Sequence, residues 1–139
     1  MKKLEIVEPK GNLVLLTYLC DRGGVGYIRT ILPSLVLGSY RYKNMSFDPL
    51  YSTAFIPVPH WYKSVSFVKF QRSATPQQLD MIRYFNKEIS TKSNTPSIYE
   101  VDDSLFNIPE WNFASEYYGA YKKNIEEILT IVNGITVST

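Results

Sequence analysis

The stretch Asn12-Leu13-Val14-Leu15-Leu16-Thr17-Tyr18-Leu19, followed by Asp21-Arg22-Gly23-Gly24-Val25-Gly26, decides the fold. A short, nearly continuous apolar run bounded by Lys10-Gly11 and by a glycine-rich turn fits a strand buried on both faces, as strands of parallel sheets are. Past the glycines, Ile28, Ile31, Leu32, Leu35 and Val36 recur at helical spacing. That predicts a helix closing near Gly38, with Pro33 kinking it or delaying its start.

Outward from this unit the pattern repeats. Ser39 to Lys63 loses periodicity among prolines, tyrosines and phenylalanines, and reads as an irregular aromatic insertion holding one or two short strands, with Thr53–Val58 a candidate and Pro59-His60-Trp61 a turn. Val65 to Phe70 alternates and is rich in β-formers. Thr75 is placed to cap a helix with Pro76 at its first position, and an apolar stripe continues to Ile89. After a polar loop, Ser97 to Val101 reads as a strand, Asp102 to Asn112 as a loop or short turn, and Ser115 to Val132 as one long amphipathic helix. Asn133-Gly134 ends that helix, and Ile135-Thr136-Val137 begins another strand. Strands alternating with helices predict an α/β fold: a Rossmann-like three-layer domain with a mainly parallel sheet and an irregular aromatic-rich insertion.

Composition narrows the chemistry. The 139 residues suit a single domain spanning 1–139, large enough for its own core. One cysteine, Cys20, excludes a disulfide framework and a cysteine-based zinc site, and predicts a small buried apolar residue at a strand end. One histidine, His60, leaves no two-histidine metal site, and no G-x-S-x-G elbow accompanies it. No apolar run is long enough to span a bilayer, and the expected setting is cytoplasmic. A net charge of +2 is too small to argue for nucleic acid or an anionic membrane on its own.

Several residues can carry chemistry. The Gly24-Val25-Gly26 turn follows a buried strand and opens a helix, so it reads either as a loop approaching a phosphate, with Arg22 and Arg29 adding charge-assisted bonds, or as a tight turn with no ligand. Asp102-Asp103 follows a strand end, where open α/β sheets place ligands. Two adjacent carboxylates there would orient sugar hydroxyls, hold a hard cation or act as a base; the competing role is a helix cap. Arg72 also follows a strand directly and would reach the crevice of Asp102, as a ligand clamp or a plain structural ion pair. His60-Trp61-Tyr62 would stack on a ring or simply pack. Asn107 to Asn112, with Tyr117-Tyr118, would form a lid or acceptor wall, or a loop tucked onto the fold.

Gly24-Val25-Gly26-Tyr27-Ile28-Arg29 with Leu32-Pro33, then Phe70-Gln71-Arg72, the run from Tyr99 to Pro109, and the closing Ile135 to Thr139 together resemble the N-terminal half of group 1, family 4-like glycosyltransferases of the two-domain GT-B architecture, versions carried by tailed phages included. The resemblance runs from about Leu13 to Thr139, outside the aromatic insertion. It implies an acceptor-side domain whose first glycine loop lies near the donor's phosphates, with the nucleotide sugar as a substrate and no separate cofactor. On that footing Asp102 and Asp103 are the expected catalytic residues. Gly24, Val25, Gly26, Arg29 and Arg72 are expected toward the donor diphosphate. The Glu-x7-Glu element of the family's donor half has no counterpart among these glutamates, so the donor domain is expected to be absent from this chain. The rival expectation is an inactive truncated domain serving as a protein-binding or inhibitor module, with a protein partner or homodimer formed through exposed apolar surface. A nucleotide-binding domain of other function is the third reading, and a DNA acceptor draws slight support from the charge.

Overall fold

The computed structural model describes residues 11–38, 41–42, 45–101 and 105–137. Its strands are β1 (Gly11–Tyr18), β2 (Arg41–Tyr42), β3 (Met45–Ser52), β4 (Phe67–Gln71), β5 (Ser97–Val101) and β6 (Gly134–Val137), in the spatial order β2-β3-β1-β4-β5-β6. Five of them run parallel, and only the two-residue β2 pairs antiparallel, with the start of β3. The chain first moves from β1 to β3 on one side, then returns past β1 to β4 and proceeds outward through β5 and β6. Right-handed crossovers therefore put the first helix on one face of the sheet and the later helices on the other. The α/β, mainly parallel architecture expected from the sequence is the one observed.

Helix α1 covers residues 24–37. It consists of Gly24–Gly26, a widened π turn over Tyr27–Ile31, and Leu32–Leu37. The π turn is how Pro33 is accommodated: a proline has no N–H to give and its ring crowds the carbonyl four residues back, so the helix opens just before it. Helix α2 covers residues 76–93, with a second π segment at Phe85–Ser90. It starts at a capping box, where Thr75 Oγ1 accepts from Gln78 N–H and Gln78 Oε1 accepts from Thr75 N–H. It ends on Asn94, whose φ of 56° is the left-handed conformation asparagine tolerates. The expected single C-terminal helix is two, α3 (Ala114–Ala120) and α4 (Lys122–Ile131), broken at Tyr121.

The aromatic insertion holds more order than its residues announce. Met45–Ser52 is a full strand lying beside β1 along its whole length, despite Asp48-Pro49. Beyond Ser46 it is the sheet's edge, where a proline's missing N–H costs no ladder bond. Thr53–Val58 forms no strand, and Pro59–Ser64 is a 3-10 helix that buries Tyr62.

The main core lies between the sheet and α2, α4 and the 3-10 helix. Leu16, Tyr18, Val68, Phe70 and Tyr99 project from alternate strand positions onto Leu79, Ile82, Phe85, Ile89, Ile125 and Ile128. Tyr62, Phe70, Phe85, Tyr99, Ile125 and Ile128 are fully buried. Rings meet edge-on, with Phe85 at 5.3 Å from Tyr62 and 5.5 Å from Phe70. The buried tyrosines are satisfied internally. Tyr62 donates to Ile56 O, Tyr18 donates to the Tyr62 hydroxyl and accepts from Ile56 N–H, and Tyr99 donates to Ser73 O. Burial pushes all three hydroxyls above the usual tyrosine range.

Candidate functional site

In an open parallel sheet, loops leaving adjacent strands in opposite directions open a crevice at the carboxyl ends of those strands. Here that switch point lies between β1, which leads to α1 and β3, and β4, which leads to α2 and β5. After β1, Leu19 N–H donates to Ser52 O, and the chain then turns through Cys20 and Asp21. Asp21 Oδ1 accepts from Gly26 N–H at 3.3 Å, while Cys20 Sγ donates to Asp21 Oδ2 at 3.1 Å. The turn is so tight that a Cβ on Gly26 would sit 1.9 Å from the Asp21 carbonyl oxygen. Gly24 has a φ of +36°, so the glycines serve close approach and left-handed backbone respectively. The Gly26 N–H, in the first turn of α1, thus faces the carboxylate of Asp21.

After β4, Arg72 adopts a φ of 47° and its N–H donates to Glu100 O at 3.0 Å. Its guanidinium lies 5.3 Å from the centroid of the Tyr118 ring. Burial pushes the Tyr118 hydroxyl up, and the charge and hydrogen bond of Arg72 pull it part of the way back. Cys20, Asp21 and Arg72, with Gln78 of α2 and Phe113 and Tyr117 at the start of α3, enclose a cleft of about 500 Å³. A second cavity of about 250 Å³ shares Arg72, Ala114 and Tyr118 with the first and extends under Asn107 to Asn112. The Tyr117-Tyr118 pair, one of whose expected roles is an acceptor wall, walls the cleft. Cys20, expected as a buried packing residue, is half-buried and lines it.

Beneath the cleft, on the α1 face of the sheet, lies a polar network. Glu100 of β5 faces Lys69 of β4 at 3.0 Å and Arg29 of α1 at 3.4 Å. Gln71 donates through Nε2 to Glu100 Oε2 and to Thr30 Oγ1, and its Oε1 lies 3.6 Å from the Cys20 sulfur, an alternative acceptor for the one thiol proton. The network therefore ties α1 to β4 and β5 and touches the floor of the cleft at Cys20. Lys69, Gln71 and Glu100 share one face because β4 and β5 run in parallel register, Gln71 beside Glu100. The sequence signal is Lys69 and Gln71 at alternate positions of β4 and a single carboxylate, Glu100, in β5, but pairing them requires that register.

The expected site residues divide accordingly. Arg72 lines the cleft. Arg29 points to Glu100 and lies in the network below. Gly24, Val25 and Gly26 form the turn behind Asp21 and are not among the cleft's lining residues. Asp102 and Asp103 follow β5 directly and lie outside the described residues. His60 is exposed, and Trp61 and Tyr62 pack against each other edge-on. Among the described residues no group of three or more histidine, cysteine, aspartate or glutamate side chains could hold a metal ion, and no helix is long and apolar enough to cross a membrane. No protein-family model, curated protein or solved structure matches this chain.

Proposed function

We propose that this chain is the acceptor-side domain of a nucleotide-sugar-dependent glycosyltransferase. The observation that supports it is the cleft at the switch point, where Arg72 and Asp21 approach from neighbouring strand ends beside the rings of Tyr117 and Phe113. Such a cleft combines an arginine fork for an anion with aromatic faces for a ring, the two surfaces a glycosyl-transfer site needs. In this reading Asp102 or Asp103 takes the proton of the acceptor hydroxyl as its oxygen attacks the anomeric carbon, and the sugar–phosphate bond breaks with its electron pair leaving on the nucleoside diphosphate. The Gly24–Gly26 turn lies toward the donor diphosphate, and Arg72 rather than Arg29 is the cation that meets the ligand. The test is ligand-observed NMR of this chain with a panel of sugar nucleotides and glycoside acceptors. Contacts that vanish in Arg72→Ala support the reading; a panel in which no compound of either class makes contact removes it.

A second reading, a protein-binding or self-associating module, is favoured by a different observation. The outward side of α1 is apolar, with Ile28 64%, Leu35 63% and Val36 54% exposed. Sedimentation velocity over a hundredfold concentration range checks it. Association that Leu35→Ser abolishes supports this module, and a monomer throughout argues against self-association.

A further inference from the structure

We infer that this chain carries a second small-molecule site, separate from the cleft, which takes a compact apolar carboxylate on Arg22. The site lies between α1 and the end of β3, and it stands whether or not the cleft is a glycosyl-transfer site.

The first observation is where the turn after β1 sends its side chains. Asp21 lines the cleft at the switch point between β1 and β4, whereas the next residue, Arg22, lines a different cavity of about 300 Å³ beside β3. That cavity forms because two strands end together. β1 and β3 pair in parallel as far as Tyr18 and Ser52, and Leu19 N–H extends the pairing to Ser52 O. Tyr51 stands beside Thr17 in that register, so its ring projects on the α1 face of the sheet, where Ile31 of α1 also lines the cavity. The chain segments that wall it, 19–31 and 51–54, are described throughout.

The second observation is how the polar rim is held. Arg22 Nη2 donates to Thr53 Oγ1 at 3.1 Å. The turn that carries Thr53 is itself pinned, since Ser52 Oγ accepts from Ala54 N–H at 3.0 Å and donates to Ala54 O at 2.8 Å. A neutral hydroxyl thus positions the guanidinium without neutralising it. One N–H is taken by Thr53, and the rest of the planar fork is left for the two oxygens of a carboxylate. Thr53 accepts through its oxygen and keeps its own proton as a further donor.

The third observation is the remaining lining. Leu19, Ile31, Ala54 and the ring of Tyr51 supply apolar walls behind the Arg22–Thr53 rim. The volume is at the small end for a ligand pocket and suits a molecule of about ten non-hydrogen atoms. A carboxylate presents two coplanar oxygens to the fork and leaves its apolar body to those walls. A phosphate monoester would turn a third oxygen toward them, where it would lose its hydration without return.

The experiment is an NMR titration of the full chain, labelled with nitrogen-15, with four probes: benzoate, benzyl alcohol, acetate and phenyl phosphate. Benzoate is expected to shift the amides of Leu19, Arg22 and Thr53. It should bind at least tenfold more tightly than benzyl alcohol, which lacks the charge, and than acetate, which lacks the ring, and more tightly than phenyl phosphate. Arg22 is exposed, so Arg22→Gln should keep the circular-dichroism melt unchanged while weakening benzoate at least tenfold. Thr53→Val, which keeps the shape but lets go of the guanidinium, should weaken it about threefold. Arg72→Ala should leave benzoate binding as it was. Tighter binding of phenyl phosphate overturns the carboxylate assignment. Shifts centred on Cys20 and Tyr117, or binding lost in Arg72→Ala, put the anion in the cleft and overturn the separate site. No binding by benzoate, or binding indifferent to Arg22→Gln, also overturns the inference. The glycosyltransferase reading is tested with sugar nucleotides and Arg72, so neither result decides the other.

Discussion

The two faces of the sheet are built on opposite logic. Toward α2 and α4 the sheet presents Leu16, Tyr18, Val68, Phe70 and Tyr99, and each helix turns its apolar stripe inward. Toward α1 it presents Thr17, Lys69, Gln71 and Glu100, and α1 turns Thr30 inward, at 4% exposed, while Ile28 and Leu35 point out. One side is held by excluded water and interlocking rings. The other is held by a carboxylate shared between a lysine and an arginine, with glutamine bonds around it. The first kind of packing is non-directional and supplies stability. The second is directional, and fixes where α1 and its preceding turn sit relative to β4 and β5.

The largest effect should come from the apolar face. Phe85→Ala removes a fully buried ring that touches both Tyr62 and Phe70, and should cost about 3–5 kcal/mol in urea unfolding, a large share of the roughly 5–15 kcal/mol of a typical domain. The polar face should give a smaller loss that cannot be assigned to area. Glu100→Ala leaves Lys69 and Arg29 without their shared carboxylate in a largely buried place, costing about 3 kcal/mol. Exchanging Lys69 and Glu100 together for apolar residues of similar volume should recover much of that. If the single and double variants are equally unstable, the network is not the fastener described here.

Next in size is the turn that joins the two faces. Gly26→Ala drives a Cβ into the Asp21 carbonyl and should cost about 1–3 kcal/mol, because the neighbour is backbone and cannot rotate away. Gly23→Ala meets nothing within 4 Å and should stay within about 0.5 kcal/mol.

How much of this asymmetry the sequence discloses depends on what each signal measures. The β1 strand, the glycine turn and the capped helix at Thr75 are local patterns, and they read correctly. The helical spacing of Ile28, Leu32, Leu35 and Val36 announces α1 equally well, yet periodicity says only that one side is apolar. That this side faces outward is a property of the sheet beneath. Strand β3 hides because Asp48-Pro49 breaks every local strand rule, and only its edge position excuses it. In the cleft, Arg72 is legible from its place after a strand. Cys20 and Asp21 are not, because their exposure depends on how tightly Gly26 closes the turn. Lys69 and Glu100 are thirty-odd positions apart in sequence and become partners only through parallel register.

The tyrosines allow the two faces to be separated by pH. Tyr18, Tyr62 and Tyr99 all belong to the apolar face, and burial raises each of their hydroxyls. The unfolded chain releases these protons near pH 10, while the folded one holds them longer. Stability should therefore be fully present below about pH 10 and fall above it, by up to about 1.4 kcal/mol per pH unit for each such tyrosine. Urea midpoints at pH 9, 10 and 11 measure this. Tyr62→Phe should flatten the slope, whereas Glu100→Gln should lower stability without changing it.

The smallest effect on stability is expected on the outward, apolar side of α1. Leu35 is 63% exposed and lies on the outward side of α1, so Leu35→Ser removes little buried surface and should change the unfolding free energy by no more than about 0.5 kcal/mol. An equally conservative change on the opposite face, Ile128→Ser, places a hydroxyl in a fully buried site and should be far more damaging. The contrast distinguishes two accounts of α1. If Leu35→Ser destabilises like a core substitution, the helix packs inward more closely than its exposure indicates and the asymmetry of the faces is lost. If it leaves the midpoint unmoved but raises solubility, the outer side of α1 is surface whose apolar character serves association, and the sheet's polar face needs only its charge network to hold the helix.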